Sequence, residues 1–415
     1  MSLLLPDEVI REFEHCNKCG FCLPACPTYQ ETGLEMHSPR GRLSLVEAAW
    51  RGELAPGAGL WQALSWCIGC RACESACPSG VQYGVVLTHA RRDLRRQSRR
   101  YVIQNRVTVP LLFLVTRRTW LRAALRAGRV VRTLPLPTGL KRTVALLPAE
   151  AGAAGPAEPQ APSPTGGGPV YLLGTCVMEA AYPEANRDAR WLLAAAGARV
   201  LPQDTLEGCC GALHLHTGDY EGALDLARAA VRRFDATLPQ ESLIVTHAGG
   251  CGAMIREYAR LLRDDAELAS RAAHWASRVH DFATVLTSLP NRLRFRGGGA
   301  TVALQNSCHL IHGMQEGVQP TALLSTVTGD RFVTLPGQDR CCGSGGVYNL
   351  NQPAMAARVL KPHLDEVRQQ GVDIWIMNNP GCALQCERGV REAGLSARVM
   401  HLSSYLRERL LTVTE

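Results

Sequence analysis

Cys16-Asn17-Lys18-Cys19-Gly20-Phe21-Cys22-Leu23-Pro24-Ala25-Cys26-Pro27 opens the chain's chemistry, and Cys67-Ile68-Gly69-Cys70-Arg71-Ala72-Cys73-Glu74-Ser75-Ala76-Cys77-Pro78 repeats it. Each stretch reads C-x2-C-x2-C-x3-C-P. A tight C-x2-C-x2-C loop can wrap three corners of a cubane of iron and sulfide, and leaves the fourth corner to a thiolate from elsewhere. The proline after each fourth cysteine ends local helix and turns that thiolate away from its own loop. The duplicated spacing therefore predicts two [4Fe–4S] clusters.

In two-cluster ferredoxins the fourth cysteine of each run serves the other cluster. On that rule one cluster takes Cys16, Cys19, Cys22 and Cys77, and the other takes Cys67, Cys70, Cys73 and Cys26. Zinc knuckles pair C-x2-C units across a long gap, which differs from a triplet plus a cysteine before proline. Disulfides would require an oxidising compartment.

Working outward, the forty residues between the runs read as helix. In Arg42-Leu43-Ser44-Leu45-Val46-Glu47-Ala48-Ala49-Trp50, the residues Leu43, Val46, Ala49 and Trp50 share one stripe. Residues 1–90 are thus expected to form a mainly α-helical ferredoxin-like domain. A basic helical connector, 91–148, follows. Between Arg91 and Arg132 it holds thirteen arginines against one acid, Asp93, within a chain of net charge +8. A solvated face, a dock for an acidic subunit and a patch for anionic lipid all fit this charge. No nucleic-acid-binding motif accompanies it. Residues 149–169 are rich in Ala, Gly and Pro and read as a linker. No apolar run approaches the ~20 residues that span a bilayer, and the start Met-Ser-Leu-Leu-Leu-Pro lacks the basic and apolar regions of a secretory signal.

From Val170 the chain duplicates itself. Cys176, Cys209, Cys210 and Cys251 correspond to Cys308, Cys341, Cys342 and Cys382, at an offset of 132 residues for three pairs and 131 for the fourth. Pro169–Leu173, Ser242–Val245, Thr301–Leu304 and Asp373–Met377 are short apolar runs placed just before cysteines, with helical patterns after them. Such alternation predicts two α/β halves, 170–295 and 296–415, with functional groups where strands end and helices begin. Helix N-termini aimed at those cysteines favour thiolate. The eight paired cysteines form a third candidate metal site, for a further iron–sulfur cluster or zinc. His214, His216, His309 and His312 lie near these cysteines and stay unassigned. No flavin, nicotinamide or Walker fingerprint occurs, so no catalytic residue is assigned and hydride chemistry must reside on another chain.

The C-terminal pattern resembles the cysteine-rich CCG domain in tandem, with Met254 and Gln385 where that family's last cysteine stands and Cys386 as an extra thiol. The whole chain is similar to the iron–sulfur subunit family of glycolate oxidase (glycolate dehydrogenase). The resemblance runs through Cys19-Gly20-Phe21-Cys22, Pro39-Arg40-Gly41-Arg42, Cys77-Pro78-Ser79-Gly80-Val81, Gly208-Cys209-Cys210-Gly211, Gly250-Cys251-Gly252-Ala253, Cys341-Cys342-Gly343-Ser344 and Gly381-Cys382. It implies an electron-transfer subunit that receives electrons from a separate FAD subunit oxidising glycolate to glyoxylate. A homologue of that FAD subunit completes the complex, and a membrane quinone accepts the electrons at the cytoplasmic face of the inner membrane. Related readings are the iron–sulfur subunit of a lactate or glycerol-3-phosphate respiratory dehydrogenase, a heterodisulfide-reductase-like thiol–disulfide reductase, and a non-redox zinc scaffold.

Overall fold

The computed structural model describes residues 2–97, 112, 123, 166–202 and 208–411. Most of the basic connector and of the linker lies outside these residues. The chain divides into two compact units. Unit one gathers Met1–Leu112, Gly211–Ala223 and Arg340–Leu360; unit two holds Phe113–Cys210, Leu224–Asp339 and Lys361–Glu415.

Unit one is helical, with no strand among its described residues. Its main helices are Asp7–His15, Pro39–Trp50, Ala58–Ser65 and Tyr83–Gln97. Helix Pro39–Trp50 starts where its sequence dictates: Pro39 presets φ at the first turn, and the Ser38 hydroxyl accepts the Gly41 amide at 2.9 Å. Leu43, Val46 and Ala49 face inward as expected, while Trp50 is half-buried and tilts against Phe13 at 5.9 Å. They join Val9, Leu60, Leu64, Val86, Ala90 and Leu94 in one core. Each large aliphatic side chain there contributes roughly 1.5–3 kcal/mol by burial.

Unit two carries two four-stranded parallel sheets of identical order. The first comprises β1 (Pro169–Leu172), β2 (Arg199–Val200), β3 (Leu243–Thr246) and β4 (Val279–Asp281), ordered β2-β1-β3-β4. The second comprises β5 (Thr301–Gln305), β6 (Arg331–Phe332), β7 (Ile374–Met377) and β8 (Arg398–His401), ordered β6-β5-β7-β8. Registers match too: Val170 pairs with Leu243 and Val302 with Ile374. The duplication read from cysteine spacing is thus a duplication of topology. Val170, Leu172, Val302, Leu304 and Ile376 belong to a single core, so the halves share their interior.

In both sheets the strand order reverses between the first and third strands, the switch point at which open parallel sheets bind ligands. Cys176 and Cys251 follow the C-terminal ends of β1 and β3; Cys308 and Cys382 follow those of β5 and β7. Cys251 and Cys382 sit inside the first turns of helices Gly249–Arg256 and Pro380–Glu392 rather than ahead of them.

Candidate iron–sulfur centres

The two N-terminal loops share an unusual backbone. Two residues after each first cysteine, Lys18 (φ 54°) and Gly69 (φ 78°) are left-handed; one residue after each second cysteine, Gly20 (φ 90°) and Arg71 (φ 64°) are as well. Left-handed steps at matching positions curl each loop into a concave cradle. Lys18 and Arg71 accept a conformation that non-glycine residues rarely adopt, and such strain clusters at ligand clamps.

Cys16, Cys19, Cys22 and Cys77 line one small cavity with Phe21, Arg40 and Pro78, and Cys73 of the second run also reaches it. Burial pushes the Cys22 thiol up, and the neighbouring Cys16 and Cys77 add to the effect. The Val81 amide points at the Cys77 sulfur, 3.4 Å away. This group faces outward: Cys19 is exposed and the other three are half-buried.

Cys26, Cys67, Cys70 and Cys73 form a second group, all buried. Desolvation raises the Cys26 thiol, with Cys67 and Cys70 as charged neighbours, while Arg42 opposes the shift. Cys73 is likewise raised well above its ordinary value by burial, and then by Cys70. Crowded thiols of this kind resist ionisation on their own; bound cationic metal reverses that preference, so the donor set fits a metal cluster. Among the described residues no three Cys, His, Asp or Glu side chains converge as a single-ion site would require. A cubane, by contrast, takes each thiolate on a different iron.

Pro39-Arg40-Gly41-Arg42 works on both groups. The Arg40 amide hydrogen-bonds to Cys22, and the Arg40 guanidinium donates to the Lys18 carbonyl at 3.0 Å and to Glu35 at 2.6 Å. Gly41 lies so close to the Glu35 carbonyl that no side chain fits. Arg42 is wholly buried; it donates to Ala63 O at 2.8 Å and Thr28 Oγ1 at 2.9 Å and faces the Cys26 sulfur.

The first α/β half brings its four cysteines together within unit two. Cys176 hydrogen-bonds to Cys209, and Cys210 to both Cys209 and Cys251; these contacts, then burial, raise Cys176 and Cys210 well above the ordinary thiol range. Cys209 and Cys210 lie on irregular backbone, which frees adjacent side chains from the alternation of a strand. The buried Tyr258 hydroxyl donates to the Cys210 carbonyl at 2.8 Å and braces the pair.

The second half is divided. Cys308 and Cys382 belong to unit two, Cys341 and Cys342 to unit one. Cys308 lies 3.6 Å from His309 Nδ1, and Asn379 donates to the Cys382 sulfur at 3.5 Å. Asn379 also accepts the Gly250 amide at 3.2 Å, which brings the ends of β3 and β7 to one crevice. Cys341 instead hydrogen-bonds to Cys70, the largest cause of that thiol's raised value. Cys386 is buried on helix Pro380–Glu392. Of the unassigned histidines, His214 pairs with Asp219 at 2.7 Å, and His216 is half-buried in unit one.

Three participants escaped the sequence reading. Arg91 belongs to a run of charge yet is buried, and donates to the carbonyls of Leu64, Cys67 and His216 at 2.7–2.8 Å. Trp66 stacks on His37 at 4.3 Å, and the Tyr348 hydroxyl donates to the Trp66 carbonyl at 3.2 Å. An arginine within a basic run carries no local signal that it turns inward.

A 4Fe-4S dicluster domain model matches residues 12–81, and a cysteine-rich domain model matches twice, at 170–256 and 302–387. The "Probable glycolate oxidase iron-sulfur subunit" of Bacillus subtilis (strain 168) is 34% identical across 96% of this chain and 94% of its own length. The "Glycolate oxidase iron-sulfur subunit" of Escherichia coli (strain K12) is 30% identical across 91% and 89%. The chain belongs to the glycolate oxidase iron–sulfur subunit family. "Lactate utilization protein A" of Bacillus subtilis (strain 168) is 27% identical over 58% of this chain and 99% of its own. The family places the chain among iron–sulfur electron-transfer subunits of hydroxy-acid dehydrogenases. Among the described residues no helix is long and apolar enough to cross a membrane.

Proposed function

We propose that this chain relays electrons, one at a time, from an FAD subunit oxidising glycolate to a membrane quinone, at the cytoplasmic face of the inner membrane. When bound, two [4Fe–4S] clusters supply the one-electron carriers, held by Cys16, Cys19, Cys22 and Cys77 and by Cys67, Cys70, Cys73 and Cys26. The observation that carries this reading is the exchange of fourth cysteines: Cys77 stands with Cys16 and Cys22, and Cys26 with Cys67 and Cys70. Each loop thereby supports both sites, which keeps them within short electron-transfer reach. The outward-facing group around Cys19 suits electron entry from a partner, and the buried group suits passage onward. Amides at Cys22 and Cys77 and the Arg42 cation stabilise added negative charge.

In the purified complex, Cys67→Ser should abolish glycolate-driven reduction of a quinone analogue while flavin reduction persists. Quinone reduction that survives this change sinks the relay.

Cys176, Cys209, Cys210 and Cys251 support a third metal group. Anaerobic iron analysis should then exceed the about eight atoms of two cubanes, and Cys251→Ser should remove the excess. Iron at eight would overturn the third group.

A further inference from the structure

Unit one also holds an open cavity of about 560 Å³. Its walls come from the helix Ala58–Ser65, the loop Trp66–Ile68 and the segment Gly345–Gln352, and the cluster ligand Cys67 itself forms part of the lining. We propose that this cavity is the binding site for the headgroup of the quinone acceptor, an inference that rests on the relay reading above.

Volume comes first: small-molecule sites run about 300–1,000 Å³, and this one falls within that range. Chemistry comes second. Trp61, Trp66 and Tyr348 offer flat aromatic surface to a planar ring, while Gln62 and Gln352 offer amide donors to ring carbonyls. No carboxylate or lysine lines the space. The guanidinium of Arg91 is committed to three backbone carbonyls, and burial, with Arg91 and Arg71, holds His216 down at about 4, so its imidazole is neutral. A cavity with this lining suits a neutral, planar ligand with polar ends rather than a phosphate or carboxylate. Position comes third. Arg91 ties the cavity wall to the Cys67 carbonyl at 2.7 Å, and the Tyr348 hydroxyl fastens the facing segment to the Trp66 carbonyl. The occupant therefore sits beside a ligand of the buried cluster.

The step balances simply. Two electrons from glycolate arrive singly through the chain, two protons come from solvent at the open mouth, and quinone leaves as quinol.

The test uses the complete complex with decyl-ubiquinone. Trp61→Ala removes a wall, and Ser65→Trp fills the space. Either should raise the quinone KM about tenfold or abolish turnover, while glycolate still reduces the clusters as read by EPR. Binding of an unreactive quinone analogue should perturb the EPR signal of one cluster only, and Ser65→Trp should remove that perturbation. An unchanged quinone KM in both variants, or an analogue that disturbs neither cluster, overturns the site. Failure of glycolate to reduce the clusters in the unmutated complex would instead overturn the relay, and the site with it.

Discussion

The buried guanidinium of Arg42 lies 3.9 Å from the sulfur of Cys26, with its other nitrogens held by Ala63 and Thr28. A fixed cation at this place favours the reduced, more negative state of any cluster that Cys26 ligates. Arg42→Met should lower the potential of one cluster and leave the other unmoved in an EPR-monitored titration. It also strands buried acceptors, at a cost of about 3 kcal/mol. Arg42→Lys should restore part of the potential but little of the stability, because an ammonium cannot reproduce the fork. Equal potentials in Arg42→Met and the parent would disprove the electrostatic role.

Cys341 reaches the same buried group from a distant stretch of sequence. Its hydrogen bond to Cys70 would, on a ligated sulfur, stabilise the reduced state. Cys341→Ala should lower one cluster's potential, and Cys341→Ser should restore most of it. Iron content should stay constant throughout. Loss of four irons in Cys341→Ala would show that Cys341 is a ligand and not a neighbour.

Gly41 and Gly33 separate two kinds of glycine. A methyl at Gly41 would overlap the Glu35 carbonyl, whereas at Gly33 it meets open space and only the left-handed φ of 65° opposes it. Gly41→Ala should cost more than about 3 kcal/mol and abolish cluster assembly. Gly33→Ala should cost about 1 kcal/mol and leave the visible spectrum unchanged. Anaerobic absorbance near 400 nm and denaturant midpoints check both, and similar midpoints for the two would refute the steric account.

Asp281 and Glu316 set a pH dependence in unit two. Burial, with the nearby Glu316 charge, pushes Asp281 up to about 7. Burial alone would raise Glu316, but hydrogen bonds from His280 and the Asp281 amide, with the Arg256 charge, hold it down at about 2. A carboxyl raised on folding stabilises below its unfolded value of 3.8, and that contribution is lost as pH climbs through about 7. Glu316 stabilises above 4.5 and loses its contribution as pH falls towards 2. Stability should therefore decline between pH 5 and 8, by at most about 3 kcal/mol. Asp281→Asn keeps an acceptor for the Ala283 amide and should flatten the decline. A parallel fall in Tm for both proteins over this interval would clear Asp281 of responsibility.

Much of this architecture was legible because its signals are local. Cysteine spacing announced the N-terminal loops, the stripe of Leu43, Val46 and Ala49 announced a helix, and Val170 to Leu172 and Val302 to Leu304 announced the central strands. β2 and β6 have two residues each, too few for any period to show. The left-handed Lys18 and Arg71 were hidden because nothing in those residue types requests that backbone. The inward turn of Arg91 and the meeting of Cys341 with Cys70 depend on contacts across 125 and 271 positions of chain, and no reading of neighbours reveals them.

The assignment of Gly211–Ala223 and Arg340–Leu360 to the same compact unit as the first hundred residues has a consequence for biogenesis. A nascent chain that has exposed only its two cysteine loops lacks the wall that Tyr348 and Cys341 supply to the buried site. On the proposed assignment, the outward-facing centre finds all its cysteines by residue 77, whereas the inner one lacks its finished surroundings until residue 360 has left the ribosome. Truncations that keep just the N-terminal loops should accordingly yield a fragment with an oxygen-labile inner centre.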